Sequence, residues 1–264
     1  MKQRADVLLH RQGLADSREK ARALIMTGRV YMDEVRVEKP AQLLPEEQVL
    51  TLRGETDPFV SRGAQKIEKA LAEFDVPVQG VVAMDIGAAA GGFTDALLRR
   101  GAAHVYAIDV GYGQMDWRLR QDARVTVMER TNARYITANQ FPLHPTLTVV
   151  DVSFISIKLI LPVVCGIMGE TGRVVTLIKP QFEAGREHVG KHGVVRDSAV
   201  HERVLADIRD FAQSMGWGVR RMTWSPVTGP KGNIEFLAEL LPGGGTVTDE
   251  DIHQLVTEAH RVLS

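Results

Sequence analysis

The chain has 264 residues, enough for roughly two domains of ordinary size. Its 44% hydrophobic and 25% charged residues, with 24 Gly and 11 Pro, exclude a disordered, collagenous or low-complexity protein. Lys plus Arg number 32 against 33 Asp plus Glu, so a net charge of -1 supplies no whole-chain field toward nucleic acid or membrane, and any basic surface is local. The one cysteine, Cys165, lies in the apolar run from Leu161 to Met168 and reads as core, leaving no disulfide framework or cysteine-based zinc site within one chain. With no signal-peptide apolar region and no apolar run of about 18 residues, a soluble, cytoplasmic protein is expected.

In chain order, the first 40 residues read as a small αβ module. Val7, Leu8 and Leu9 lead to Gly13-Leu14, and Asp16-Ser17-Arg18-Glu19 predicts a second helix with Asp16 as N-cap and Glu19 completing a capping box. Ala21, Leu24 and Ile25 mark its buried face and Gly28 its end. Val30-Tyr31 and Val35-Arg36-Val37 flank Asp33-Glu34 as a hairpin, with a strand near Val49 to Leu52. Residues 1–39 carry nine Lys or Arg against six Asp or Glu, and Arg18 and Arg22 share a helix face at i and i+4. The turn-rich stretch Gly54-Glu55-Thr56-Asp57-Pro58 has no apolar period, which places a linker at 57–62 between domains 1–56 and 63–264.

Beyond it, strand-length apolar runs at Val81 to Met84, Val105 to Ile108, Val125 to Met128, Leu147 to Val150 and Val174 to Ile178 alternate with amphipathic stretches. That pattern predicts an α/β domain with a mostly parallel sheet covered on both faces. A helix follows over residues 200–215, then strands near Val219 to Trp224 and Ile234 to Leu240. A last helix has Ile252, Leu255, Val256, Ala259, Val262 and Leu263 on one face, set to pack on the domain. Trp117 either covers a bound adenine or fills core, and core is the expectation.

Open α/β sheets bind ligands at their strand ends. Asp85 ends the first strand and opens a small-residue loop into a helix, and Asp109, 22 positions after Gly87, ends the second, placed for a ribose. The glycines read G-x-x-x-G-G, unlike the G-x-G-x-x-G that cradles a dinucleotide pyrophosphate, and there is no phosphate loop of the G-x-x-x-x-G-K-[ST] form. A cofactor without a pyrophosphate, S-adenosylmethionine, fits better. Further strand ends carry Asp151, Lys179 and, at the start of the last strand, Glu235, while Lys66 precedes the first. The histidines lack metal-type spacing with carboxylates, so no metal is expected.

Two resemblances sharpen this reading. Arg4-Ala5-Asp6 to Leu9, Gly13, Ser17-Arg18, Ala21, Ile25, Gly28, Val30 and Lys39-Pro40 resemble the S4 RNA-binding domain. That implies phosphate contacts for Arg4, Arg18, Lys20, Arg22 and Arg29, which position RNA without reading its sequence. The segments Val60 to Lys66, Gly91 to Thr94, Asp109 to Gln114, Glu129 to Arg134, Asp151 to Ser156 and Lys179 to Glu183 resemble the TlyA family, FtsJ-like ribosomal-RNA ribose methyltransferases with an S4 domain in front. The resemblance implies a Rossmann-like, seven-stranded methyltransferase domain and 2'-O-methylation of cytidine in 16S or 23S rRNA within 30S or 50S subunits. A K-D-K-E tetrad would fall on Lys66, Asp151, Lys179 and Glu235. The cofactor site would fall on Asp85, Gly87, Gly91, Phe93, Thr94, Asp109, Asn132 and Asp151. Where the family pattern has Ser-Thr before Gly-Gly, this chain has Ala89-Ala90, two hydroxyl donors fewer. The glycine-rich, basic stretch Gly185 to Arg196 suits either a mobile loop over RNA or a passive connection. Two rival functions are a membrane-active hemolysin, a historical label of the family, and a non-catalytic RNA-binding assembly factor; neither an obligate protein partner nor a membrane is expected.

Overall fold

The computed structural model describes residues 2–26, 28–53 and 59–263. The chain divides into two compact units, Met1–Pro58 and Phe59–Ser264. The stretch Gly54 to Pro58, where the linker is expected to begin, lies outside the described residues.

In the first unit β1 (Lys2–Arg4) runs into α1 (Ala5–Arg11), followed by α2 (Arg18–Met26), β2 (Val30–Met32), β3 (Val35–Arg36), β4 (Leu43–Pro45) and β5 (Leu50–Leu52). β2 pairs antiparallel with both β3 and β5, and Asp33 at φ 53° makes the tight turn between β2 and β3. β1 pairs antiparallel with β4, a sheet that the sequence did not announce because three-residue strands are too short to display alternation. Leu8, Leu9, Ala21 and Ile25 from the helices close a core with Val30, Val37, Leu44 and Leu50. The N-cap of α2 is Ser17 and not Asp16: Ser17 Oγ accepts from Lys20 N at 3.1 Å, while Asp16 pairs with the Lys20 ammonium at 2.9 Å. The helix thus starts one residue later than expected, which moves Glu19 out of capping-box register.

The second unit begins with α3 (Gly63–Glu73) and β6 (Val82–Ile86), then α4 (Gly92–Arg99), β7 (His104–Ile108), α5 (Trp117–Gln121), β8 (Val125–Met128) and β9 (Leu147–Val150). It continues with α6 (Leu161–Met168), β10 (Arg173–Ile178), the single turn α7 (Pro180–Glu183), α8 (Ser198–Ser214), β11 (Trp217–Trp224), β12 (Phe236–Pro242) and α9 (Asp249–Leu263). The sheet has seven strands in the order β11-β12-β10-β9-β6-β7-β8. Every strand is parallel to its fellows except β12, which pairs antiparallel with both neighbours. Alternation persists although both faces are covered: Ala83 of β6 joins Ile67, Leu71 and Leu97 of α3 and α4, whereas Met84 and Ile86 join Leu161, Val164 and Ile208 of α6 and α8.

Cys165 is buried as expected, and burial pushes its thiol up to about 12. On α9, Ile252, Val256 and Ala259 are buried, and Thr248 and Asp251 cap its start with reciprocal bonds of 2.8 and 3.2 Å. Trp117 departs from expectation. It is 69% exposed, because α5 is five residues long and Leu119, two positions on, takes the inward face.

Strand order reverses direction at β6, with β7 on one side and β9 on the other, so a crevice opens beyond the carboxyl ends of these strands. The reversed β12 brings its start to the same edge: Phe236 pairs with Ile178, so Glu235 and Lys179 are neighbours of one strand pair.

Candidate active site

The crevice holds a cavity of about 370 Å³. Ile86, Ile108, Val152 and Ile160 give it an apolar lining, and Asp109, Asn132, Asp151 and Ser153 place polar groups on it. Gly87 is required here. Its φ is 86°, and a Cβ would lie 2.3 Å from the Asp151 carbonyl oxygen, so two strand ends meet at a distance only glycine permits. Asp109 spends its carboxylate on the backbone, accepting from Ala89 N at 2.8 Å and from Gly111 N at 2.6 Å, which fixes both adjacent loops. Ala89 itself adopts φ 45°, a conformation unusual for a residue with a Cβ. Asn132 accepts from Arg134 N at 3.1 Å and faces the cavity.

Of the eight expected cofactor residues, Gly87, Asp109, Asn132 and Asp151 line this cavity. Asp85, Gly91, Phe93 and Thr94 stand behind its wall. Gly91, at φ 93°, is the N-cap of α4, and Phe93 is core. Asp85 is fully buried; Thr94 Oγ1 donates to its Oδ2 at 2.6 Å, and its Oδ1 has no partner. Burial, with help from Asp151 and Asp109 and against the Thr94 bond, pushes its carboxyl up to about 7.

The four tetrad positions gather on the same edge as two ion pairs. Lys179 Nζ lies 2.5 Å from Asp151 Oδ1 and donates to Ser153 Oγ at 2.8 Å. Lys66 Nζ lies 2.6 Å from Glu235 Oε2, and the Glu235 side chain is fully buried. Gln181, on the turn that follows Lys179, donates to Glu235 Oε1 at 3.3 Å and so links the two pairs. Gly229 permits this burial, since a Cβ there would lie 2.2 Å from Glu235 Oε1. Lys69, one turn beyond Lys66 on α3, donates to Thr223 Oγ1 at 2.6 Å and sits 3.9 Å from the centre of the Trp224 ring, holding the helix to β11. Sequence reasoning missed Gln181, Ser153, Gly229 and Lys69; Gln181 and Ser153 stand two positions from tetrad members, the one signal that could have found them.

The rim of the cavity carries an exposed aromatic. Phe154 is 90% exposed at φ 65°, its ring tilted at 51° against that of Phe182 with centres 5.2 Å apart. Such a conformation is costly for a bulky residue and is held here by its neighbours. In the first unit Arg4 and Arg18 turn to a buried carboxylate, Asp6, at 2.9 and 3.4 Å, and Lys20 pairs with Asp16. Arg4 holds the Asp6 carboxyl below its usual range. Arg22 is exposed, and Arg29 is half-buried with its Nε 3.5 Å from Arg53 O. Gly185 to Arg196 is no featureless loop, since two short turns, Arg186–His188 and Lys191–Gly193, lead to buried Val194 and Val195. Among the described residues no group of three or more His, Cys, Asp or Glu is placed to hold a metal, and no helix is long and apolar enough to cross a membrane.

Residues 59–240 match the family described as FtsJ-like methyltransferase, and residues 3–50 match the S4 domain. The chain belongs to the TlyA family of FtsJ-like methyltransferases. It is 48% identical to "Putative rRNA methyltransferase YqxC" of Bacillus subtilis over 99% of this chain and 95% of that one. It is 42% identical to "16S/23S rRNA (cytidine-2'-O)-methyltransferase TlyA" of Mycobacterium tuberculosis, over 99% and 97%. A solved structure titled "Putative hemolysin from Streptococcus thermophilus" superposes with a TM-score of 0.80 at 44% identity, covering 99% of this chain and 96% of that one. The α/β methyltransferase fold with an S4 domain in front, expected from the motifs, is therefore the fold of this family member.

Proposed function

We propose that this protein transfers a methyl group from S-adenosylmethionine to the 2'-hydroxyl of a cytidine in ribosomal RNA, in 16S, 23S or both. The observation that carries the reading is the pair of lysine–carboxylate contacts, Lys179 with Asp151 and Lys66 with Glu235, at the edge where the cavity opens. The names of the Bacillus and Mycobacterium relatives support it. Residues 1–56 form the RNA-holding domain, 57–62 the linker and 63–264 the transferring domain.

The cavity fits the cofactor in size and in chemistry. An apolar lining suits a nucleoside, the Gly87 turn leaves room at the strand crossing, and Asp109, Asn132 and Asp151 present polar groups to the rest. When bound, the cofactor supplies an electrophilic methyl on a sulfonium. Asp85 and Thr94 act beneath the loop and shape it without touching the ligand.

A ribose hydroxyl is a weak nucleophile, so the protein's task is to orient it and remove its proton. Lys179 Nζ, held between Asp151 and Ser153, is placed to hold the hydroxyl in line and, in its neutral form, to take that proton. Lys66 and Glu235 hold the other side of the ribose. Gln181 keeps the two halves in register, and Phe154 offers a face on which an unstacked base can rest.

Tritiated methyl transfer onto separated, unmethylated 30S and 50S subunits tests this. Label on either subunit, reduced at least about a hundredfold by Lys179→Ala with cofactor binding retained, is the expected result. Substantial methylation by that variant would remove Lys179 from its role, and no label with wild type despite cofactor binding would favour an assembly factor.

A further inference from the structure

Beside the tetrad lies a second groove of about 390 Å³, between α7 and residues 185–193. Its composition differs from that of the cofactor cavity. Gly185, Gly190 and Gly193 line it beside Phe182, Arg186 and Val189, so bare backbone forms part of its wall. Gln181 stands at its inner end, donating to Glu235, while its own Oε1 is buried and has no partner. A buried acceptor without a donor is costly, and an incoming hydroxyl or amino group would satisfy it.

One cation, Arg186, lines the groove, and exposed Lys191 and Lys231 stand on the turns beside it, Lys191 between the lining residues Gly190 and Gly193. His192 at φ 70° and Lys231 at φ 69° are two residues with side chains held in the left-handed region at the tips of facing turns. Lys231 Nζ comes within 4.0 Å of where a Cβ on Gly193 would be. Asn233 fixes the two turns to each other: its Nδ2 donates to Gly193 O at 2.9 Å, and its Oδ1 accepts from Val195 N at 3.1 Å. Asn233 is buried, and Glu235 follows two residues later. Strain retained at exposed basic residues beside a catalytic centre points to a binding role. One charge opposes it, since Glu187 lies against Gly185.

We infer that this groove seats the RNA strand flanking the methylated nucleotide, with Lys191 and Lys231 gripping its phosphates and Gln181 Oε1 accepting from a ribose hydroxyl or base amino group. The inference rests on the proposed function and names the path of its substrate. The three glycines in its wall let a sugar-phosphate chain approach closely, and the lysines add sequence-independent affinity. Because Asn233 ties the gripping turns to the segment carrying Glu235, a seated strand also steadies the Lys66–Glu235 pair.

The test measures binding of unmethylated 16S and 23S transcripts to the full-length protein across a salt series. Withdrawing one lysine from its phosphate lowers the slope of log affinity against log salt by roughly 0.7 on single-stranded RNA. Lys191→Gln with Lys231→Gln should lower the slope by about 1.4 and weaken binding about tenfold at moderate salt, with cofactor affinity and melting temperature unchanged. Glu187→Gln should tighten binding about twofold, an opposite sign that misfolding would not produce. An unchanged slope in the double variant overturns the inference. Methyl transfer by wild type with that unchanged slope would leave the enzyme reading intact and remove the groove alone; altered slopes without methyl transfer would do the reverse.

Discussion

The two halves of the active edge are built differently. On the side of β6, β7 and β8 the backbone does the shaping: Gly87 meets the Asp151 carbonyl, and both oxygens of Asp109 are taken by main-chain N–H groups. On the side of β10, β12 and α3 side chains answer one another, Lys179 to Asp151 and Lys66 to Glu235. The proposed cofactor pocket is shaped by main chain. The proposed reaction centre is made of paired side-chain charges.

The sharpest break in that comparison comes at Lys66. Lys66→Met leaves Glu235 buried and without its cation, a loss of about 3–5 kcal/mol when one partner of a buried pair is removed. The melting temperature should fall by several degrees and recover in part when Glu235→Gln is added. A single variant as stable as wild type would show the pair to be dispensable.

Asp85 tests the main-chain side by pH. Its carboxyl is raised to about 7 in the folded protein against 3.8 when free, so the folded state binds the extra proton between those values. Stability therefore declines as pH rises from about 4 to 7, by at most about 4 kcal/mol, and levels off above. Asp85→Asn should remove the decline, and parallel melting curves for the two proteins would sink the assignment.

Gly87→Ala comes next. The left-handed φ costs about 1–2 kcal/mol for any residue with a Cβ, and the contact with Asp151 forces the strand ends apart. Calorimetry should show cofactor affinity lowered at least about tenfold, whereas an unaltered dissociation constant would mean the crossing does not shape the cavity. The smallest effect belongs to the first unit. Arg22→Ala should weaken RNA binding a few-fold at constant melting temperature, while Arg4→Ala should lower the stability of residues 2–53 by withdrawing the bidentate partner of buried Asp6. Equal behaviour of the two would erase the distinction between a free and a committed arginine.

The main-chain half was open to reading from the amino acids alone, and the other half less so. Glycines, strand-end aspartates and apolar runs are local signals, so five strands, the loop at Asp85 to Asp95 and Asp109 are all legible in the residues themselves. The pairings of Lys66 with Glu235 and of Lys179 with Asp151 join residues far apart in the chain. No spacing encodes them, and family resemblance alone joined them into a tetrad. Three misreadings share one cause, that short elements carry little pattern: Asp16 in place of Ser17 at a cap, Trp117 as core, and the pairing of β1 with β4 overlooked. Gln181 and Asn233 escaped notice because an amide whose partners lie on another segment is invisible until the segments meet.

The single reversed strand has a consequence for how the protein comes off the ribosome. β12 lies between β10 and β11, so β11, although synthesised earlier, has no sheet neighbour until β12 arrives. Glu235 immediately precedes that strand, so the proposed tetrad is incomplete until the same stretch of chain is made. The strands of the first unit pair only among themselves and are complete at Leu52. At elongation rates of about 5–20 residues per second, roughly ten to forty seconds separate the two events. The nascent chain thus owns its proposed RNA-holding part well before it owns its chemistry.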